Sequence, residues 1–258
     1  MIPRPNIIEW ARRAGWPTDE QNEQDLVLSR LIVEIARDRY LGEELVFRGG
    51  TCLHKLHADK VYRYSEDLDY VRRSGGGIAE VTRSLTAIGE RLGMEVRTQI
   101  AVHPKVHLRA PFESGTGRMQ IKIEVNTLER SPTRGLLRRP YAVRSSWFNG
   151  EAEVLTFSLP ELLATKLRAL FQRSKGRDLF DLWLSLVQLE VAPADLVACF
   201  GPYRPAGYTR RRAEENLRRK CADTAFRDDL RPLVAAWPEG YEINTAAELI
   251  ITRVLSLL

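Results

Sequence analysis

The chain of 258 residues is 44% hydrophobic, enough to bury one substantial core or a core and a smaller appendage. No apolar stretch approaches the roughly 20 residues that span a bilayer, and Met1 to Trp10 lacks the basic-then-apolar order of a signal peptide, so no membrane role is expected and the cytoplasm is the default address. The formal charge of +5 favours an anionic partner, while Cys52, Cys199 and Cys221, odd in number and without C-x-x-C spacing, indicate reduced thiols rather than a disulfide framework or zinc site.

From Glu20 to Leu41, Leu28, Leu31, Ile32 and Ile35 recur at helical spacing among charged residues, which predicts an amphipathic helix ended by Gly42. Leu45 to Phe47 then reads as a short strand stopped by Gly49 and Gly50, with a helix starting in Thr51 to His57. Leu68 to Val71 is a second strand, with alternating acids at its entrance. Ile78 to Leu92 reads as a helix, and Met94–Ala101, Lys105–Pro111 and Arg118–Asn126 as β segments. Residues 1–157 are therefore expected to form an α+β domain with a mixed sheet.

Residues 158–258 change character. Ser158-Leu-Pro-Glu161 has the form of a capping box and should open a helix running to about Arg173. Another helix near Arg177 presents Leu179, Trp183, Leu186 and Val187 as an apolar stripe, and helical stretches continue from Pro193. With no long linker between them, the two parts are expected to pack together, the helical domain completing an active site and acceptor groove.

Three constellations bear on chemistry. Gly49 and Gly50, between a strand and a helix start, allow close backbone approach to a phosphate, although a plain tight turn would use the same residues. In Ser65-Glu-Asp-Leu-Asp69, period two places Asp67 and Asp69 on one side of a strand. Carboxylates about 4 Å apart repel by on the order of 1 kcal/mol in water and more in a cleft, a penalty that a divalent ion removes. Magnesium suits such a site because it takes hard oxygen ligands and keeps places for water and triphosphate oxygens. A solvated turn with scattered acids is the plain alternative. Glu124, in an alternating Gln120-Ile-Lys-Ile-Glu-Val125 strand, is the best third acid for metal-assisted phosphoryl transfer, unless that face is simply wet. In the helical half, Lys166, Ala169 and Arg173 share a face opposite Leu163, Leu167 and Leu170, and Asp178 lies three residues from Asp181; spacing alone assigns both sets to solvent.

Four segments, Phe47-Arg-Gly-Gly-Thr-x-Leu-x-Lys55, Arg63-Tyr-Ser-Glu-Asp-Leu-Asp69, Leu159-Pro-Glu-Leu-Leu-Ala-Thr-Lys-Leu-Arg-Ala169 and Lys175-Gly-Arg-Asp-Leu-Phe-Asp-Leu182, together resemble the AbiEii/AbiGii-type nucleotidyltransferase toxins of the DNA-polymerase-β-like superfamily. The resemblance spans about Glu44 to Trp183. It implies that Asp67 and Asp69 bind the metal, that Lys166 contacts the triphosphate and that Asp181 is a later essential acid. Gly49, Gly50, Thr51, Lys55, Ser65, Arg173 and Asp178 complete the expected nucleotide-binding set. Ser65 is also singled out, since in some members the matching serine is phosphorylated by the antitoxin. Arg48 and Cys52 depart from the residues common in the family without removing a metal ligand. The biology implied is a bacterial toxin that transfers a nucleotide from an NTP to an acceptor, in several members the tRNA 3′ end, opposed by a separate antitoxin.

For the acceptor, Arg210, Arg211, Arg212, Arg218, Arg219 and Lys220 lie in one predicted helix near Tyr203 and Tyr208, while Arg134, Arg138 and Arg139 lie near Tyr141. Guanidinium groups interleaved with rings suit RNA; Glu214 and Glu215 dilute the first cluster, as they would on a solvated helix. Two other classes remain: a nucleotidyltransferase acting on a protein hydroxyl, and a non-catalytic module that binds nucleotide or RNA.

Overall fold

In the computed structural model, which describes residues 2–258, the strands are β1 (Leu45–Arg48), β2 (Asp67–Arg72), β3 (Glu95–Gln99), β4 (Lys105–Pro111), β5 (Arg118–Asn126), β6 (Leu137–Arg144) and β7 (Asn149–Thr156). They form one mixed sheet in the order β3-β4-β5-β2-β1-β7-β6, with β2 parallel to β5, β1 parallel to β7 and the other neighbours antiparallel. Period-two alternation dictates the packing of β4 and β5, which have their expected bounds: Val106, Leu108, Met119, Ile121, Ile123 and Val125 are buried, whereas Lys105, His107, Lys122 and Glu124 turn to the other face. The expected strand at Met94–Ala101 shortens to β3.

The buried face of the sheet is covered by α2 (Asp19–Arg37) and α5 (Ala79–Arg91), with α1 (Arg4–Ala14) packed on α2. Thr18 caps α2 by accepting the Gln21 N–H at 3.2 Å. A short α3 (Leu41–Glu44) feeds the chain into β1. The helix expected from Thr51 is realised as one α turn, α4 (Gly49–Cys52), followed by a π turn over Leu53–His57. These elements form one unit, the chain up to Arg130 together with Leu136–Thr156.

The second unit comprises Ser131–Gly135 and Phe157–Leu258. Its helices are α6 (Leu159–Gln172), α7 (Gly176–Val187), α8 (Pro193–Ala198), α9 (Arg210–Cys221), α10 (Thr224–Asp228) and α11 (Ile243–Arg253). Helix α6 starts where expected, yet the capping box does not form. Ser158 makes no side-chain cap bond, and buried Glu161 instead accepts the backbone N–H groups of Thr133 at 3.0 Å and Arg134 at 2.9 Å, tying residues 131–135 to this unit. At the other end of α6, Lys220 donates to the carbonyls of Leu170, Phe171 and Arg173. A cation there satisfies groups that a helix C-terminus leaves without partners. No helix among the described residues is long and apolar enough to cross a membrane. The three cysteines are buried thiols.

Candidate active site

Strand β2 alternates as expected: Leu68 and Tyr70 are buried, while Asp67 and Asp69 are half-buried on the opposite face. Register places Asp69 between Arg48 of β1 and Glu124 of β5, and Asp67 beside Lys122. Gly49, directly after β1, has φ +83°, and a Cβ there would lie 2.3 Å from Asp69 Oδ2. A Cβ on Gly50 would lie 2.3 Å from Arg63 Nη2. The glycines therefore make room for a carboxylate and a guanidinium of the chain itself. Thr51, buried behind them, is hydrogen-bonded to the Asp67 carbonyl at 2.5 Å and to the Ser65 hydroxyl at 2.8 Å, which fixes the entrance of β2 against the glycine turn.

The Lys122 ammonium lies 2.9 Å from Asp67 and 3.7 Å from Glu124, and Lys105 lies 3.5 Å from Glu124. Burial pulls Lys122 down, but its bond to Asp67 and the charges of Asp67, Asp69 and Glu124 outweigh this and hold it above the ordinary lysine value. Glu124 is thus Asp69's neighbour, as a third acid would need to be, yet it is held between two lysines. Among the described residues no three His, Cys, Asp or Glu side chains form a metal cage. A divalent ion here would have two carboxylates from the protein and complete its shell with water and nucleotide oxygens. That arrangement fits magnesium better than calcium or zinc.

Lys55, expected at the nucleotide, is placed otherwise. Its ammonium is buried against Asp25, 2.6 and 2.8 Å from the two carboxylate oxygens, and 3.1 Å from Ser29 Oγ. Burial would lower its pKa, but Asp25 more than compensates and raises it. The same carboxylate accepts the Trp10 indole N–H at 2.9 Å, so the pair joins α1, α2 and the π turn. Nothing local in the sequence couples positions 25 and 55.

The second unit carries its own charged cluster. Lys166 is 2.8 Å from Asp181 and 3.5 Å from Asp178, and Arg173 makes paired bonds of 2.7 and 2.9 Å to Asp178. Asp178 and Asp181 are fully buried and Lys166 nearly so, which corrects the solvated-face assignment made from spacing. Burial works to raise the Asp178 carboxyl, while Lys166 and Arg173 prevail and hold it below the usual range. Helix periodicity cannot reveal that α6 and the residue that ends it deliver two cations to the acids of α7.

The basic clusters are reorganised as well. Arg210 pairs with Glu214 at 2.7 Å, Arg211 with Glu215 at 2.8 Å, Arg218 with Glu248, and Arg212 donates to the Gly207 carbonyl at 3.0 Å. Lys220 is the buried cap described above. Tyr203 and Tyr208 are core residues, Tyr208 packed edge-on against Phe171 and Phe200, so they offer no stacking platform. Arg138 pairs with Glu43, and as neighbours on a strand Arg138 and Arg139 point to opposite faces. Arg134 pairs with Asp195 at 2.5 Å.

JHP933 from Helicobacter pylori has a similar fold, with a TM-score of 0.52 and 14% identity over 92% of this chain and 90% of that one. So does MenT4, a nucleotidyltransferase toxin from Mycobacterium tuberculosis H37Rv, with a TM-score of 0.50 and 19% identity over 97% and 99% of the two chains. No curated protein matches the sequence significantly. The family model for the nucleotidyl transferase AbiEii toxin of type IV toxin-antitoxin systems matches residues 30–246. Because that match takes in most of the chain, including the glycine turn, the acid pair and the Lys166 cluster, the chain belongs to the AbiEii family of nucleotidyltransferase toxins, transferases that use a nucleoside triphosphate and are partnered by an antitoxin.

Proposed function

We propose that this chain transfers a nucleotide from an NTP to the 3′ end of an RNA acceptor, with tRNA the expected substrate, in a magnesium-dependent reaction that blocks translation in the cytoplasm. The observation that carries the reading is the pair Asp67 and Asp69 on one face of β2, with Gly49 leaving space for Asp69 and the exchangeable ammonium of Lys122 bonded to the Asp67 carboxylate. Asp67 and Asp69 would hold the magnesium ion, which when bound neutralises triphosphate oxygens. Glu124, adjacent to Asp69, is the candidate base for the attacking hydroxyl. The family resemblance would give Lys166 the triphosphate contact and Asp181 the role of later acid, roles that require their buried ion pair to open. Phosphorylation of Ser65 would add a charge of about −1.5 to −2 two residues from Asp67 and silence the site.

The test is incubation of purified protein with each labelled NTP, magnesium and total RNA or lysate. Label on RNA is expected. Label on protein alone would replace RNA with a protein hydroxyl as acceptor, and no label with any NTP would overturn nucleotide transfer altogether.

A further inference from the structure

Register in the first unit lines up side chains of one sheet face in straight rows. One row runs Asp67, Lys122, His107, Arg97 across β2, β5, β4 and β3. Arg109 lies on the same face two positions along β4, between Gln120 of β5 and Glu95 of β3. At a strand spacing of about 4.8 Å, the row leads about 14 Å from the acids to the sheet edge.

The charges on this face do not balance. Asp67 is met by Lys122, Glu124 by Lys105 and Lys122, and Glu95 by Arg118 at 2.6 Å. Arg97, His107 and Arg109 have no ion-pair partner among the described residues, and together with Thr98 and Gln99 they line a depression of about 330 Å³. Arg109 Nε is buried there without a hydrogen-bond acceptor. Burial foremost, with the charges of Arg109, Lys122, Lys105 and Arg97 adding to it, pulls the His107 pKa below its ordinary value. Such a cluster repels itself until an anion joins it. Arg109 and Arg97 stand two and three strands from β2, beyond a triphosphate held at the acids.

We propose that Arg97, His107 and Arg109 form a phosphate track that holds the backbone of the single-stranded 3′ end of the RNA acceptor and leads its terminal hydroxyl towards Asp67 and Asp69. This rests on the RNA-transfer reading and names its acceptor surface. The track lies on the sheet and not on α9, whose arginines are largely engaged by glutamates of their own unit.

The experiment measures binding of a fluorescent single-stranded RNA against salt concentration, without NTP, for wild type, Arg97→Glu/Arg109→Glu, Arg97→Lys/Arg109→Lys and Arg211→Glu/Arg218→Glu, each confirmed folded by circular dichroism. The glutamate pair on the sheet is expected to weaken RNA binding on the order of tenfold or more, and to lower the salt slope by about 0.7 for each phosphate no longer neutralised, while NTP affinity stays unchanged. The lysine pair should retain most of the affinity, and the α9 pair should change little. Unaltered RNA affinity and salt slope in the sheet variant, or weakening confined to the α9 variant, would overturn the track. Track-dependent binding by a wild type that labels no RNA would leave the track standing and sink the transfer reading; RNA labelling by the sheet variant at an unchanged KM would do the reverse.

Discussion

Each unit holds a lysine against an aspartate at nearly the same distance, 2.9 Å for Lys122 and Asp67 and 2.8 Å for Lys166 and Asp181, under opposite solvent conditions. The first pair is 32% and 43% exposed and the second 6% and 0%. An exposed pair contributes only about 0–1 kcal/mol, so Asp67 can exchange its ammonium for another cation at little cost. Breaking a buried pair strands a charge away from water at about 3–5 kcal/mol, so Asp181 is fixed by its partner. Lost activity therefore reports chemistry at Asp67, and stability as well as chemistry at Asp181.

The largest expected effect breaks the buried member. Asp181→Ala should lower unfolding stability by about 3–5 kcal/mol in a denaturant titration, because Lys166 is left buried with excess charge. Replacing both partners, as in Lys166→Met/Asp181→Leu, should recover much of that stability. A cost under about 1 kcal/mol for Asp181→Ala would mean that the cluster is wetter than its burial indicates.

Lys55 extends the comparison to a site where sequence and structure disagree. Lys55→Ala should cost about 3 kcal/mol by leaving Asp25 unneutralised, with NTP affinity of the folded protein unchanged. Weakened NTP binding without destabilisation would return Lys55 to the nucleotide site.

Gly49→Ala combines a backbone penalty of roughly 1–3 kcal/mol with a Cβ driven into Asp69, and its activity should fall further than its stability explains. Gly76→Ala is the control, since Gly76 also has positive φ, at +94°, but nothing within 4 Å of an added Cβ. Equal effects of the two on transfer would remove Gly49's role in seating Asp69.

The smallest effect concerns Lys220, whose pKa burial lowers to about 8. From there up to the ordinary lysine range near ~10.4, the folded chain has released a proton that the unfolded chain keeps, so stability should rise with pH. Lys220→Met should flatten that slope in a pH series of melting curves.

What the sequence revealed follows the same division. Strands β4 and β5 were legible to the residue because alternation is local, and so were the shared face of Asp67 and Asp69 and the opposed faces of β5. Strand β6 was not: it lies at the sheet edge, where Arg138 and Arg139 remain largely in solvent and Pro140 is tolerated, so it carries little alternation. Helix α1 went unread as well. The misplacements of Lys55, Glu161, Lys220, Asp178 and Asp181 share one cause. Each is a charged residue whose partner arrives from another element, and spacing along the chain records only a polar residue at a position that normally faces water. For Lys166 and Asp181 the family motif pointed away from a solvated surface where periodicity did not.

The central claim, that Asp67, whose ammonium partner is exchangeable, acts with Asp69 in the chemistry, is tested most directly by Asp67→Asn. Magnesium-dependent transfer from labelled NTP and unfolding stability are measured on the same preparation. Transfer is expected to fall on the order of 10³-fold while stability stays within about 0.5 kcal/mol of wild type. Full transfer by the asparagine variant, or a drop in transfer matched by unfolding of the chain, would contradict it.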